Sequence, residues 1–173
     1  IGSDSGASTT VSSIYGQHVA LVIDGTDADD LTVSNALISG ERLLWGSMES
    51  ISISDTNFTQ EQSGRSVVDL RCLIDCTFDN VYIYNADIGM DVDGSGTTTL
   101  TDSEVHGDQL GIRASGTGQL VVESSTIVAN ETAISISSLD SEISQSTISL
   151  HNGVGPAAVL LEGEHQWNDV EIT

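Results

Sequence analysis

An eight-residue pattern that occurs seven times is the feature of this sequence that most restricts its fold. In each copy two mostly apolar positions alternate with outward-facing ones, a polar and a small residue mark a turn, and another apolar residue follows; Thr98, Ser141 and His165 take the first apolar position in three copies. The copies start at Leu31, Ile51, Val81, Thr98, Leu120, Ser141 and His165. Alternation with a period of two predicts short β-strands, and their regular recurrence predicts a stacked repeat.

The spacing of the copies indicates one coil of a β-solenoid. Their second apolar residues are 20, 30, 17, 22, 21 and 24 residues apart. One coil cannot bury its apolar side alone, whereas stacking at about 4.8 Å pairs the backbones and closes a shared core. We predict an all-β parallel solenoid of about seven coils over residues 18–173, with about 22 residues and three short strands in each coil. Residues 1–17, rich in Ser, Thr and Gly, are expected to be a flexible leader.

Stacking places equivalent residues of successive copies in rows. The predicted first inner row is Val33, Ile53, Ile83, Leu100, Val122, Ile143 and Trp167, and the second is Ile38, Phe58, Ile88, Val105, Ile127, Ile148 and Ile172. A polar row at the bend contains Asn35, Asp55, Asn85, Asp102, Ser124, Gln145 and Asp169, followed by small residues that include Ala36 and Ala86. The 30-residue step indicates an insertion or an extra strand in the coil that contains Cys72 and Cys76.

Cys72 and Cys76 are the two cysteines of the chain. They alternate with Leu70, Ile74 and Phe78, which favours two core cysteines on one face of a strand. A disulfide between them would need a turn, because an extended strand separates their positions by roughly 13 Å. The sequence leaves their redox state open.

The repeat and its polar row resemble the right-handed parallel β-helix family, the pectin-lyase-like superfamily, over about residues 18–173. Members of this family place Asn-rich ladders at one such turn. The resemblance implies the fold but not a function, because lyases, epimerases, phage tailspikes, adhesins and surface-layer proteins share it.

The charge of the chain excludes several classes of partner. It has 26 acidic residues against 4 arginines, no lysine, and a formal charge of −22. The phosphate backbone of a nucleic acid would repel such a chain. The longest apolar run, Val19 to Ile23, is too short for membrane insertion. Absence of lysine with an excess of Asp resembles the proteins of salt-loving organisms, and secreted calcium-binding proteins are also acidic.

One segment resembles the calcium loop of an EF-hand or dockerin. Its predicted oxygen ligands are Asp91, Asp93, Ser95, Thr97 and Asp102, with Gly96 at the sharp turn. Hard oxygen ligands around a tight glycine turn suit Ca²⁺. The alternative is an acidic, glycine-rich turn between two strands, since no helices flank the segment and Asp102 already belongs to the polar row.

A second candidate site follows from the family resemblance. Polysaccharide lyases of this fold use a carboxylate-bound calcium and an Arg or Lys base on one sheet. Here Arg113 would be the base, and Asp91, Asp93 and Glu123, which lie in adjacent coils, could form an acidic groove. The alternative reading of Arg113 is a surface ion pair, and the absence of a catalytic constellation favours a non-enzymatic role.

Three further features point to the outside of the cell. Asn57-Phe58-Thr59 and Asn130-Glu131-Thr132 are sequons that would accept glycans there. No amphipathic capping helix covers the C-terminal coil, which predicts self-association or contact with other surface proteins.

We therefore expect an extracellular or cell-surface structural or adhesive module that associates end to end in a filament, fibre or surface layer. A carbohydrate-active β-helix, acting as a polysaccharide lyase, an epimerase or a glycan-binding module, is the alternative. A virion tail-spike or fibre domain is the third.

Overall fold

A computed structural model describes residues 8–12, 15–17, 21–22, 30–40, 43–60, 65–151, 158–162 and 164–173. The regular elements of these residues are strands, and every strand pairing is parallel. The strands are β1 (Ser8–Ser12), β2 (Tyr15–Gln17), β3 (Leu21–Val22), β4 (Asp30–Ser34), β5 (Leu37–Gly40), β6 (Leu44–Gln60), β7 (Ser66–Gly94), β8 (Thr97–Thr101), β9 (Glu104–Gly116), β10 (Gln119–Glu123), β11 (Thr126–Ala129), β12 (Thr132–Ser137), β13 (Asp140–Ser144), β14 (Thr147–Leu150), β15 (Val159–Glu162), β16 (His165–Asn168) and β17 (Glu171–Ile172).

Each coil passes through three sheet faces. The first face stacks β1, β4, Ser50–Ser54 of β6, Asp75–Asp79 of β7, β8, β10, β13 and β16. The second face stacks β2, β5, the end of β6, Val81–Tyr84 of β7, the start of β9, β11, β14 and β17. The third face stacks β3, the start of β6, the two ends of β7, the end of β9, β12 and β15. The predicted parallel solenoid with three strands per coil is confirmed.

The core lies inside the stack, where alternate residues of every face meet. Val33, Phe58, Leu100, Val122 and Ile143 are each 0% exposed. Burying such a side chain contributes about 1.5–3 kcal/mol relative to leaving it in water. The residues between them point outward, so each face presents its own set of side chains to solvent.

The predicted register of the third copy is wrong by five residues. Phe78 pairs with Ile53 and Leu100 in the first inner row, while Ile83 pairs with Phe58 and Val105 in the second. Ile88 instead pairs with Leu110. The true copy runs from Cys76 to Ile83 and needs no 30-residue step.

At the corner between the first and second faces, the residues of the polar row adopt a left-handed backbone conformation. Asn35, Asp55, Asn80, Asp102, Ser124, Gln145 and Asp169 have φ between 48° and 53°. Asn80 therefore replaces the predicted Asn85 in this row. Short polar side chains tolerate positive φ better than β-branched or bulky ones do, which explains most of this composition.

A ladder of small residues follows that corner. The N–H groups of Val81, Ser103 and Ser125 donate to the Oγ atoms of Ser103, Ser125 and Ser146, over 2.9, 3.1 and 3.1 Å. The three serine hydroxyls donate in turn to main-chain carbonyls two residues earlier. Buried backbone groups at the bend are thereby satisfied, and Val81 takes the place predicted for Ala86.

Cys72 and Cys76 form a disulfide, with their Cα atoms 6.0 Å apart. They do not lie on one extended strand face, because the chain turns from the third face to the first between them and leaves Ile74 52% exposed. The next coil makes the equivalent corner with glycines. A Cβ on Gly94, whose φ is +131°, would lie 1.9 Å from the carbonyl oxygen of Cys72.

Backbone pairing extends into the segment expected to be a flexible leader. Ser8–Ser12 pairs in parallel with Asp30–Ser34, and Tyr15–Gln17 pairs with Leu37–Ser39. Ser and Thr can join a strand when a neighbouring coil supplies the backbone partners. The remaining residues of the predicted leader, 1–7 and 13–14, lie outside the described residues.

The last described coil exposes positions that are buried in the coil before it. Leu161 is 40% exposed, whereas its partner Ile136 is 2% exposed. Ile172 is 51% exposed, whereas its partner Ile148 is 0% exposed. These inward positions of the repeat are therefore buried only where another coil stacks on the coil that contains them.

Candidate functional site

A groove on the third face gathers an aromatic ring and both signs of charge. The third-face groove is defined here by Trp45, Asp69, Arg71, Asp91, Asp93 and Arg113. The stack positions these side chains: Trp45 pairs with Asp69 across one step, and Asp91 pairs with Arg113 across another. Each residue stands on a rigid strand whose neighbours are fixed by backbone hydrogen bonds.

Both arginines of the groove are paired with carboxylates. Arg113 Nη1 donates to Asp91 Oδ2 over 2.9 Å. Arg71 Nε lies 3.7 Å from Asp93 Oδ1, and both of those side chains are more than half exposed. The surface ion pair expected as the alternative for Arg113 is therefore present.

Burial and neighbouring charges act in opposite directions on the pKa of the Asp91 carboxyl. Burial raises the pKa of Asp91 above its ordinary value, Arg113 opposes the rise, and the nearby Asp69 and Asp93 add to it. A carboxyl group beside two other acids is easier to protonate than an isolated one. The arrangement can hold a proton or bind a cationic group.

A second cluster lies on the second face and was not found from the sequence. Tyr84 Oη donates to Glu104 Oε2 over 2.9 Å, and His106 Nε2 lies 2.5 Å from Glu104 Oε1. The Tyr82 and Tyr84 rings are stacked with centroids 6.3 Å apart, and the His106 ring lies 5.1 Å from that of Tyr84. The spacing of Tyr84 and His106, in neighbouring coils, was the available signal.

The ionisation of this cluster follows from its hydrogen bonds. The hydrogen bond to His106 lowers the pKa of Glu104, burial acts the other way, and Tyr84 adds to the lowering. Burial, helped by the hydrogen bond to Glu104, raises the pKa of Tyr84 to about 12. Glu104 is thus an anion held between two donors.

A shallow depression of about 180 Å³ adjoins this cluster. Tyr84 forms one wall, and His106, Asp108, Asn130 and His151 contribute polar groups to its lining. It lies where the second face ends and the chain turns toward the third face.

A family model described as right handed beta helix region matches residues 2–164. The chain belongs to the right-handed β-helix family. No curated protein and no solved structure matches the chain. Membership in this family establishes the fold, whereas function has to be argued from the sites.

Arg113 and Glu123, the alternative catalytic residues, lie on different faces of this right-handed β-helix. Glu123 is exposed on the first face, between Thr101 and Ser144 of the neighbouring coils. Arg113 stands on the third face beside Asp91. Residues of adjacent coils share a site only if they also share a face.

The five predicted calcium ligands are spread over two faces and two corners. Asp91 and Asp93 lie on the third face, whereas Ser95, at the next corner, donates to the Leu73 carbonyl. Thr97 begins a first-face strand and Asp102 follows its end, so their Cα atoms are roughly 16 Å apart. Among the described residues, no group of three or more His, Cys, Asp or Glu side chains is placed to hold a metal ion.

The two sequons differ in their surroundings. Asn57 is exposed on the second face, between Leu37 and Tyr82 of the neighbouring coils. Asn130 is half-buried, and its Nδ2 donates to Asp108 Oδ1 over 3.4 Å. Asn57 is therefore the more accessible acceptor.

The described residues include no helix that is long and apolar enough to span a membrane.

Proposed function

We propose that this right-handed β-helix is an extracellular structural or adhesive module. The disulfide between Cys72 and Cys76 is the observation that carries the proposal. Disulfides form and persist mainly in oxidising environments such as the cell surface, and are rare in the cytosol of most organisms. Both cysteines are 1% exposed, so the bond belongs to the core and supports a structural role.

The outer surface supports the same proposal. Both arginines of the third-face groove are paired, and the first face presents short hydroxyl and carboxylate side chains. A net charge of −22 keeps such rods soluble, and salt screens their mutual repulsion. A rigid rod with a largely polar, acidic coat suits display or assembly at a cell surface.

Surface labelling of intact source cells combined with thiol counting tests this proposal. Antibody or protease should reach the protein on intact cells, and the denatured, unreduced protein should contain no reactive thiol. Two free thiols in a protein that is protected inside intact cells would overturn the proposal.

End-to-end association is the second part of the proposal. Its support is the last described coil, where Leu160, Leu161 and Ile172 are 49%, 40% and 51% exposed beside open strand edges. A second copy stacked on this coil would continue the parallel ladder.

In 2 M NaCl the mass measured by light scattering should rise with protein concentration, and Leu161→Asp should lower that mass. An unchanged monomer mass at high concentration would contradict end-to-end association.

A carbohydrate-active role is the second candidate, and the third-face groove favours it. Asp91, whose pKa is raised, lies beside Asp69, Arg113 and a tryptophan in an open groove. Glycosidases cleave with a pair of carboxyl groups, one acting as general acid, and Asp91 and Asp69 are the candidate pair here. Product release from polysaccharides, lost in Asp91→Asn and Asp69→Asn but retained in Arg71→Ala, would establish this role. No product from neutral or acidic polysaccharides would exclude it.

Calcium binding is a further part of the proposal, confined to Asp91 and Asp93, where the ion would have to displace Arg113 and Arg71 from the two carboxylates. Thermal melts in calcium, EDTA and NaCl separate binding from screening. A specific site raises the melting temperature at micromolar to millimolar Ca²⁺, whereas screening requires far more salt. An equal response in Asp91→Asn would show that these carboxylates do not bind the ion.

A further inference from the structure

The three faces do not share the negative charge equally. Among the described residues, the outward side chains of the first face include six acids and no base: Asp30, Asp75, Asp79, Glu123, Asp140 and Glu142. The outward side chains of the second face include two acids, Glu104 and Glu171. Glu104 is already held between Tyr84 and His106. The second face is therefore a weakly charged strip on a strongly acidic protein.

The strip also contains the apolar and aromatic groups that a binding surface needs. Tyr82, Tyr84 and Val128 are half-buried outward residues of the strip. The depression beside Tyr84 combines one aromatic wall with converging polar groups from His106, Asn130 and His151. Ligand sites combine apolar walls with a few placed polar groups in this way.

The Tyr84 ring is held in position before any ligand arrives. Its hydroxyl donates to Glu104, and its ring contacts those of Tyr82 and His106. Ordering a side chain on binding costs about 0.5–1.5 kcal/mol, and this ring has already lost that freedom.

We propose that this second-face depression binds a single sugar unit within a neutral glycan chain. The sugar ring packs against Tyr84, and its hydroxyls exchange hydrogen bonds with His106, Asn130 and His151. The proposal rests on the adhesive function above and names the surface and the ligand class through which adhesion occurs. The proposed binding is non-covalent.

Charge and area decide between this ligand and the other candidates. Asp108 lines the depression, and the whole chain is strongly acidic, so a polyuronate would be repelled. The strip is roughly 30 Å long and 10 Å wide, so two copies meeting there would bury well below the ~1,200 Å² of a stable interface. An extended single chain needs much less area than that.

Isothermal titration with cellohexaose and mannohexaose tests the proposal, using protein made in a host that adds no glycan at Asn130. At least one neutral hexasaccharide should bind, and Tyr84→Ala should weaken it at least tenfold. Tyr84→Phe keeps the ring and should stay within threefold of wild type. Leu37→Ala, on the same face but away from the depression, should bind as wild type does. Circular dichroism establishes that each variant is folded.

Three results would overturn the proposal. They are no binding of either hexasaccharide at 5 mM, tighter binding of hexagalacturonate, or a dimer in light scattering that Tyr84→Ala abolishes. The failure of this inference is distinguishable from that of the adhesive function. Surface exposure with an intact disulfide but no glycan binding rejects only the ligand. Free thiols in an intracellular protein reject the function even if a glycan binds.

Discussion

Glu104 on the second face and Asp91 on the third face each accept a hydrogen bond from a neighbouring side chain, yet their pKa values are shifted in opposite directions. The donors around Glu104 lower its pKa, and no other acid is its direct neighbour in the strand register. Burial and the acids nearby raise the pKa of Asp91 even though Arg113 donates to it over 2.9 Å. One arginine does not offset partial burial among several acids.

The stack explains this difference. A step of 22 residues places Asp91 beside Arg113, and the same step separates Asp69 from Asp91. On the second face the neighbours of Glu104 in the register are Tyr82 and Thr126. The register therefore decides whether a carboxylate meets a donor or another carboxylate, and the sign of each pKa shift follows from it.

Removing Arg113 should give the largest effect. Arg113→Ala leaves Asp91 partly buried beside Asp69 and Asp93 without its cation, and should lower the free energy of unfolding by about 1–2 kcal/mol, measured by urea denaturation at pH 7. Arg71→Ala, which removes a longer and more exposed pair, is the matched control and should cost less than about 0.5 kcal/mol. Equal losses of unfolding free energy in the two variants would show that the partial burial of Asp91 adds nothing to the cost of removing its arginine.

Replacing Glu104 should have a smaller effect that depends on pH. Glu104→Gln weakens the bonds to His106 and Tyr84 and should cost about 1 kcal/mol at pH 7. Because the folded-state pKa lies below the ordinary value of 4.5, this contribution is present above 4.5 and is lost as pH falls through the folded pKa. Melts from pH 7 to pH 3 should show wild type and variant converging. A constant difference across that range would contradict the lowered pKa.

Asp91→Asn should give the smallest effect, with the opposite sign. Because the folded-state pKa is raised, the contribution of Asp91 is favourable below 3.8 and is lost as pH rises through the folded pKa. Asn still accepts a hydrogen bond from Arg113 and carries no charge to bury. At pH 7 we expect a gain of no more than about 0.5 kcal/mol. A clear loss of stability at pH 7, as large as that of Arg113→Ala, would show that the ion pair outweighs burial.

The architecture could be predicted from the sequence because the same pattern of apolar and polar residues recurs in every coil. Six of the seven copies lie in the predicted register. The third failed because two overlapping segments fit the pattern, Cys76 to Ile83 and Val81 to Ile88, and Asn80 and Asn85 both adopt positive φ. Only the stacking of Phe78 between Ile53 and Leu100 distinguishes them.

The sites were less accessible from the sequence. The coil positions alone group Arg113 with Asp91, Asp93 and Glu123, whereas the faces place Asp91 beside Arg113 and Glu123 on another face. The disulfide was left open because an extended strand keeps Cys72 and Cys76 apart, and the corner that brings them together is a property of the coil. The stack determines which residues share a face and where the chain turns a corner, so neither the partner of Arg113 nor the disulfide follows from local sequence.

The register of the stack is the central claim, and one distance across it is the most direct test. Thr32 and Gln166 lie in the same outward column of the first face, six strand steps apart. Spin labels at Thr32→Cys and Gln166→Cys should therefore show a single separation near 29 Å by pulsed electron paramagnetic resonance, from about 4.8 Å per step. A broad distribution, or a distance beyond about 40 Å, would contradict a continuous in-register solenoid and the faces built on it.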